Sequence, residues 1–380
     1  MTVRSTEPGQ GIASADLDYQ LDPALIATSP AHPRDHARMM VFHRESGRVE
    51  HRLVCDLADY IVPGSSMVVN ETRVEPLRFV ARRRRDGRTT EGLFVVAAAE
   101  GWWEVLIKGA RRFRTGDQLD LLAPGDELPK GDSIELLHSE DGSWKARFME
   151  GRSAHEVWDR SGRTPLPPYI VEARQRRHEE AHSDASDRAD YQTVFARTDS
   201  PLFASCAAPT AGLHFTAELL SAIAAKGVRR VAIELQVGPG TFRPVEAARL
   251  GDHPMHGERC VVRAGTAVDL AAIDPDLSLV VGTTSVRCLE SLSRPLPSAM
   301  LEGGSSERVV ADFETKLLIA PGFEFQWTRR LLTNFHLPRS TLLALVGALV
   351  GLDQLKALYA QAQAHRYRFY SLGDAMLILP

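Results

Sequence analysis

The sequence is poor in the devices that announce a function at sight. Its 380 residues include only four cysteines, Cys55, Cys206, Cys260 and Cys288, scattered without CxxC or any other zinc spacing. That excludes a disulfide framework and a sequence-local structural zinc site. No apolar run reaches the ~18 residues of a membrane span, and the longest, near Leu342 to Val350, is broken by Gly347. A basic-then-apolar leader is missing as well, so a reducing, cytoplasmic setting away from membranes is expected. The chain has no Gly-x-x-x-x-Gly-Lys-Ser/Thr loop and no Gly-x-Ser-x-Gly elbow, which argues against a nucleoside triphosphatase and an α/β-hydrolase. Net charge is small too: 45 basic against 49 acidic residues leave −4, a balance that by itself points to no polyanionic partner.

What is present is an ordinary globular composition, 44% hydrophobic and 25% charged, enough for one large domain or two smaller ones. The first dozen residues read as a frayed tail. A short helix near Pro23 to Ala27 precedes a strand from Arg38; a second short helix stops at Pro63-Gly64 before a strand ending at Asn70. From 76 to 154 the texture changes. Six short runs alternate apolar and polar residues between Gly and Asp turns, with no helical period. This predicts an all-β, barrel-like module inserted into a discontinuous α/β domain formed by 1–75 and 155–380. Within or beside the module lie two arginine groups, Arg82 to Arg85 with Arg88, and Arg111, Arg112 and Arg114. They are either solvated surface or a phosphate-contacting face. Three prolines in "GRTPLPPYI" (Gly162 to Ile170) predict extended backbone and no regular element, and the polar stretch 172–190 predicts a mobile loop or an exposed helix. Strand-turn-helix units follow, with Thr216 and Ser340 as N-caps and a final strand reaching Leu379.

Several helix entrances carry more polar chemistry than capping requires. "AAPTAGLHFT" (Ala207 to Thr216) combines a proline, two threonines, a glycine and His214. "VVGTTSVR" offers Thr283, Thr284 and free amides at a helix start, a place suited to carboxylates; a plain capped βα turn is the alternative. "TNFHLPRS" sets Asn334 and His336 before an apolar helix, where a satisfied capping histidine is the bland reading. "VGPGT" fails the dinucleotide fingerprint, because Arg243 stands where the third glycine belongs. It leaves Gly238 and Gly240 as a backbone wall a ligand can approach. "DHPMHGE" groups His253, His256 and Glu258, but lacks a helical i, i+4 histidine pair and a third ligand. An acid/base and hydrogen-bonding cluster is expected there, with no metal. "GDAM" places Asp374 just before the last strand.

Taken in order, these stretches resemble one family. "PRDHARMMVF", "VPGSSMVVNETRV", "PLPPYI", "DYQTVFA", "AAPTAGLHFT", "VGPGTFRPV", "HPMHGE", "GTTSVR", "TNFHLPRSTLL" and "YRFYSLGDAMLIL" are similar to the motifs of the S-adenosylmethionine:tRNA ribosyltransferase-isomerases of queuosine biosynthesis. The resemblance implies an α/β fold with an inserted β-barrel-like domain. It also implies transfer and isomerisation of the ribosyl part of S-adenosylmethionine onto an aminomethyl-deazaguanine base at the tRNA wobble position. The product is epoxyqueuosine-tRNA; adenine and methionine leave, and no metal or redox cofactor takes part. S-adenosylmethionine and tRNA are then the partners of a chain expected to be monomeric. A sulfonium acidifies the neighbouring carbon and makes methionine a good leaving group, so the protein must supply acid/base groups. His214, His336, Asp374 and Glu258 are those available in matching motifs. His214 and His336 are expected near the sugar, with Asp374 orienting a donor or base. Gly282, Thr283, Thr284 and Arg287 are expected to hold the methionine carboxylate. Arg73 and the arginine groups suit tRNA phosphates, and Tyr169 and Phe215 suit base stacking, with core packing as the alternative. The motif matches extend the binding set to Tyr191, Gln192, Thr193, Pro209, Thr210, Ala211, Gly212, Thr241, Phe242, Thr333 and Arg368. Glu71, Gly109 and Arg330 depart from the family's usual residues, mostly where RNA is expected. Two rivals remain, ribosyl transfer to a different acceptor and a catalytically silent RNA-binding relative.

Overall fold

The computed structural model describes residues 9, 11–97, 101–149, 151–179, 182–198, 205–242 and 244–380. Most of the tail predicted to fray, Arg243 and the side chain of Phe242 lie outside them. The chain first forms a hairpin, β1 (Arg38–His43) and β2 (Val49–Leu53), and then β3 (Ser66–Asn70). It next builds β4 (Arg78–Arg83), β5 (Thr89–Ala97), β6 (Trp103–Ile107), β7 (Gln118–Leu122), β8 (Ser133–Glu140) and β9 (Ser143–Phe148). Helix α1 (Ala154–Ser161), the short β10 (Gly162–Arg163), α2 (Pro168–Arg176) and α3 (Asp184–Asp190) lead back. The remainder alternates: α4 (Ala217–Ala225), β11 (Arg229–Leu235), β12 (Glu258–Arg263), α5 (Ala264–Ala271), β13 (Leu279–Val281), α6 (Thr283–Glu290), β14 (Val309–Thr315) and β15 (Arg330–Asn334). Helices α7 (Thr341–Val350) and α8 (Leu352–Ala364) precede β16 (Ala375–Leu379).

Two sheets result. One has the order β14-β12-β11-β3-β13-β15-β16-β1-β2 and is mixed, with β11, β3, β13 and β15 running parallel. Strands such as "RMMVFH" and "AMLIL" are apolar at nearly every position because both faces are covered. Met40 and Phe42 join the cluster under α6, α7 and α8, while Met39 and Val41 join the cluster under α4. The other sheet closes on itself, β4-β5-β6-β9-β8-β7 and back to β4, with β10 added at the edge. Its alternation is the period-2 pattern of the six sequence runs, and α1 packs Val157 and Trp158 into its core. The chain enters this barrel after β3 and returns as β11, the parallel neighbour of β3. The barrel is therefore inserted between two adjacent strands of the larger sheet, beside their carboxyl ends.

One local expectation needs correction and another resolves between its two alternatives. "GRTPLPPYI" is not wholly irregular: Gly162 and Arg163 pair with β4, and Pro168 opens α2. Proline suits that first position, since its missing N–H has no partner there anyway. For the polar stretch 172–190 the exposed-helix alternative holds, since the end of α2 and all of α3 fall within it. Its charges act as ties: Arg174 pairs with Asp187 at 2.9 Å and donates to the Thr28 carbonyl, so the end of α2 and α3 are held together.

Gly162 shows how tightly the two sheets are joined. A Cβ there would lie 2.0 Å from the Pro76 carbonyl oxygen and 2.5 Å from that of Trp158, both backbone atoms that cannot step aside. Gly162→Ala is therefore expected to destabilise the protein by about 3 kcal/mol in urea unfolding, or to prevent folding. Gly238→Ala, whose Cβ meets nothing within 4 Å, is expected to change stability by no more than ~0.5 kcal/mol.

Candidate functional site

The parallel strands β11, β3, β13 and β15 all end at one edge, and the segments around that edge enclose a narrow cavity of about 30 Å³. The crevice beyond the carboxyl ends of such strands is where open α/β sheets bind ligands. Val237 and Thr241 come from beyond β11, Gly282, Thr283 and Thr284 from the β13–α6 turn, and Thr333 to Leu337 from the end of β15. Ala208, Thr210 and Ala211 close a second side, and Tyr169, Tyr370 and Ser371 a third. Gly282 has φ +85°, a conformation that favours glycine and turns the chain sharply from strand into helix.

Buried polar atoms at these strand ends find partners across element boundaries, as they must away from water. The Asn334 carboxamide accepts from the Thr210 hydroxyl at 2.9 Å and donates to the Tyr370 carbonyl at 3.1 Å. Asn70 does the same two strands over, accepting from Leu235 N–H and donating to the Leu235 carbonyl and to Thr284 Oγ1. His336 is clamped through its main chain: its N–H donates to Tyr359 Oη at 2.9 Å, and its carbonyl accepts from Tyr19 Oη. Its Nε2 pairs with Thr333 Oγ1 at 2.8 Å. Tyr169 bonds Ser371 and meets Tyr370 edge-on at 4.9 Å. Tyr370 itself sits at φ 72°, a left-handed conformation costly for a bulky side chain and characteristic of functional sites. It is held there by Asn334 and by its own N–H bond to the Phe335 carbonyl.

The expected acid/base groups take different places. Only His336 lines the cavity, and burial lowers its pKa to about 3, so it is neutral at pH 7. His214 is also buried, with Nδ1 3.1 Å from the Ala211 carbonyl and Nε2 3.0 Å from that of Gly373. Desolvation lowers its pKa against the pull of those two carbonyls, and neither nitrogen is left for a substrate. Asp374 is likewise engaged, by Arg38 N–H, Arg368 N–H and the Arg368 guanidinium. It closes the 368–374 loop that presents Tyr370. Glu258 pairs with Arg287 behind the wall, and Arg287 also donates to the Leu317 and Thr315 carbonyls. Arg287 is thus committed to the protein and does not line the cavity. Glu258 reaches the cavity through the Thr241 hydroxyl, which donates to it at 2.9 Å.

Among the binding candidates, Tyr169, Thr210, Ala211, Thr241, Gly282, Thr283, Thr284, Thr333 and Asn334 line the cavity. Phe215 does not: it is fully buried and packs on Phe195 with ring centroids 5.0 Å apart. Pro209 and Gly212 shape the Thr210–His214 turn, where Gly212 N–H donates to the Pro209 carbonyl and its Cα faces Thr193. Gly238, Gly240, His253 and His256 stand outside the lining, with Gly240 packed on the His256 ring. Arg73, Tyr191 and Gln192 line a neighbouring cavity with Glu75 and Arg188, and Arg73 pairs with Glu75. Asn70, Tyr19, Tyr359, Tyr370 and Ser371 were missed by the sequence reading. Five of the seven tyrosines (19, 169, 191, 359 and 370) pack in or beside this region, a concentration that only the aromatic run at 367–370 hints at.

No Asp, Glu, Lys or Arg lines the cavity among the described residues; its polar groups are hydroxyls, an amide and a neutral imidazole, beside the rings of Tyr169, Phe335 and Tyr370. Aromatic faces attract cations without requiring a counter-charge, and the free N–H groups at the start of α6 favour a carboxylate. The same arrangement predicts a pH signature. Between pH 6.5 and 3 the unfolded chain takes up protons that buried His336 refuses, so stability is lost as pH falls through that window and is unaffected above it. The slope is at most ~1.4 kcal/mol per pH unit from this residue, and His214 adds in the same direction. Urea midpoints are expected to be level from pH 8 to 7 and to fall below 6.5, with a shallower fall in His336→Asn. Equal slopes in the two proteins would contradict a neutral buried imidazole.

Comparison with known proteins places these features in one group. A family model described as "Queuosine biosynthesis protein" matches residues 14–378. A protein of Symbiobacterium thermophilum named S-adenosylmethionine:tRNA ribosyltransferase-isomerase is 41% identical over 367 residues, covering 96% of this chain and 99% of the relative. Proteins of the same name from Desulfitobacterium hafniense and Synechococcus elongatus are 39% and 40% identical, each over 96% of this chain and over 99% and 95% of their own lengths. A solved structure titled S-adenosylmethionine tRNA ribosyltransferase, from Thermotoga maritima, is 30% identical over 96% of this chain and 100% of its own, with a TM-score of 0.48.

Proposed function

This chain belongs to the queuosine biosynthesis protein family, and we propose that its strand-end cavity is where S-adenosylmethionine gives up its ribosyl group to tRNA. The protein is an S-adenosylmethionine:tRNA ribosyltransferase-isomerase. The acceptor is the aminomethyl-deazaguanine base at the wobble position, and the products are epoxyqueuosine-tRNA, adenine and methionine. The observation that carries the assignment of the site is its lining. Segments from "PLPPYI", "AAPTAGLHFT", "VGPGTF", "GTTSVR", "TNFHLP" and "YRFYSLGD", up to about 200 residues apart in the chain, meet around one cavity.

The parts suit the substrate. Thr283 and Thr284 at the start of α6 receive the methionine carboxylate, while Tyr169 and Tyr370 face the sulfonium and the adenine ring. His336, held neutral and fixed by Tyr19 and Tyr359, hydrogen-bonds the ribosyl group or departing adenine. The proton removed from the carbon beside the sulfonium is taken by Thr241 Oγ1 as its own proton passes to Glu258. Arg287 keeps that carboxylate oriented. The base amine takes the place of adenine on the ribosyl group, and the sulfonium leaves with its bonding pair as neutral methionine as a ribosyl oxygen bonds the carbon it vacates, so no redox step is needed.

Incubation with S-adenosylmethionine and tRNA carrying the aminomethyl-deazaguanine base is expected to release adenine and methionine in equal amounts. No adenine release with that tRNA, or equal release with tRNA lacking the base, would overturn the reading. Within it, Thr241→Val is expected to lower kcat by roughly 10²-fold while KM for S-adenosylmethionine stays within about twofold, and Thr241→Ser to retain most activity. Full activity in Thr241→Val removes the relay through Glu258.

A further inference from the structure

The two arginine groups of the barrel, separated in sequence, converge on one rim. Arg83 is the staple. It is buried, with its guanidinium on Asp86 Oδ1 at 2.9 Å, within 3.6 Å of Asp117, and donating to the Arg112 carbonyl at 2.7 Å. Its plane lies 4.8 Å over the Phe113 ring. The β4–β5 turn and the 109–116 segment are thereby locked side by side. Around this staple Arg84, Arg85, Arg88, Arg111, Arg112 and Arg114 are exposed. The carboxylates within reach are Asp86, Asp117 and Asp120, which pair with Arg83, Arg84, Arg85 and Arg88. The rim thus concentrates positive charge on a chain whose net charge is −4.

Between the rim and the cavity lies a second concave surface. A wider cleft between the barrel and the larger sheet is lined by Lys108, Arg78 and Gly92 on the barrel side and by Pro168, Ala207 and Pro239 on the other. Those last three are chain neighbours, one or two residues away, of Tyr169, Ala208 and Thr241 in the cavity wall. On the barrel side, Lys108 leads through Gly109, at φ 75°, directly into Arg111 and Arg112. The cleft therefore adjoins segments of the cavity wall on one side and the chain that leads to Arg111 and Arg112 on the other.

We infer that this rim binds the sugar-phosphate backbone of the tRNA while the modified base reaches the cavity through the cleft. Arginine suits the task, since its planar fork matches phosphate oxygens. Contacts to phosphates position a nucleic acid without reading its sequence, and here the sequence is read at the base in the cavity. The inference rests on tRNA being the acceptor.

The test uses the full chain and tRNA carrying the aminomethyl-deazaguanine base, with Kd read by filter binding across a salt series. The triple variant Arg111→Gln, Arg112→Gln, Arg114→Gln is expected to raise Kd on the order of tenfold at low salt. Its slope of log Kd against log salt should fall by about two, each phosphate contact contributing ~0.7–0.9. KM for S-adenosylmethionine should not change, which also shows that the fold is intact. Arg230→Gln, exposed at the amino end of β11 away from the cavity, should leave Kd and slope as in the wild type. Equal Kd and slope in the triple variant and the wild type overturn the inference, as does an equal loss in Arg230→Gln. A wild type that binds tRNA but releases no adenine would instead overturn the proposed function, and the Kd comparison would still decide the role of the rim.

Discussion

The Asn334 carboxamide is the bond on which the site depends. It stands at the end of β15, takes the Thr210 hydroxyl from one wall and gives its protons to the 370–371 carbonyls of another. Parallel strands that stop at a common edge leave polar groups that water cannot reach, and each must be paired within the protein. Asn70 solves the problem between β3, β11 and α6, and Asn334 between β15, the Thr210–His214 turn and the loop before β16. Held by that second pairing, Tyr370 keeps a backbone conformation it would otherwise avoid. The cavity is the space these cross-links leave open.

Charge is kept out of that space and used behind it. The Glu258–Arg287 pair, the Arg368–Asp374 pair and the His214 bridge all lie in the walls. For a substrate that is itself a cation this division is physically sensible. A lysine or arginine facing the sulfonium would repel it, and a carboxylate facing it would stabilise the bound substrate as much as its transition state. Aromatic faces and neutral hydroxyls hold the cation without that penalty. Removing one member of a buried pair strands the other charge at a cost of several kcal/mol, so these residues are essential to the fold and the site at once.

Much of this could be read from residue order. The six barrel strands follow from alternation between Gly and Asp turns, and the caps at Thr216 and Ser340 accept the amides their spacing requires. The polar helix entrances at Thr210, Thr283 and Asn334 do meet at one cavity. What stayed hidden depends on distant partners. His214 is chemically a candidate base, but the Ala211 and Gly373 carbonyls occupy both its nitrogens. Arg287 looks available for a carboxylate until Glu258, 29 residues earlier in the chain, is found against it. The left-handed turn at Tyr370 carries no sequence mark, because glycine is the usual signal and is absent there. Pro168 looks like a breaker in the sequence, yet its position at the start of a helix makes it an initiator.

The barrel's place in the chain follows the same logic. Its insertion between β3 and β11 sets it beside the carboxyl ends of both strands, so a cleft forms next to segments of the cavity wall. A large second substrate can then rest on the barrel while its reacting base enters between the two sheets. The central claim, that the strand-end cavity holds S-adenosylmethionine, is tested most directly by a crystal structure of the protein with that ligand. The account predicts its sulfonium against Tyr169 and Tyr370 and its carboxylate at Thr283 and Thr284. Ordered ligand seated elsewhere, such as in the cavity lined by Arg73 and Tyr191, with the strand-end cavity unfilled, would contradict it.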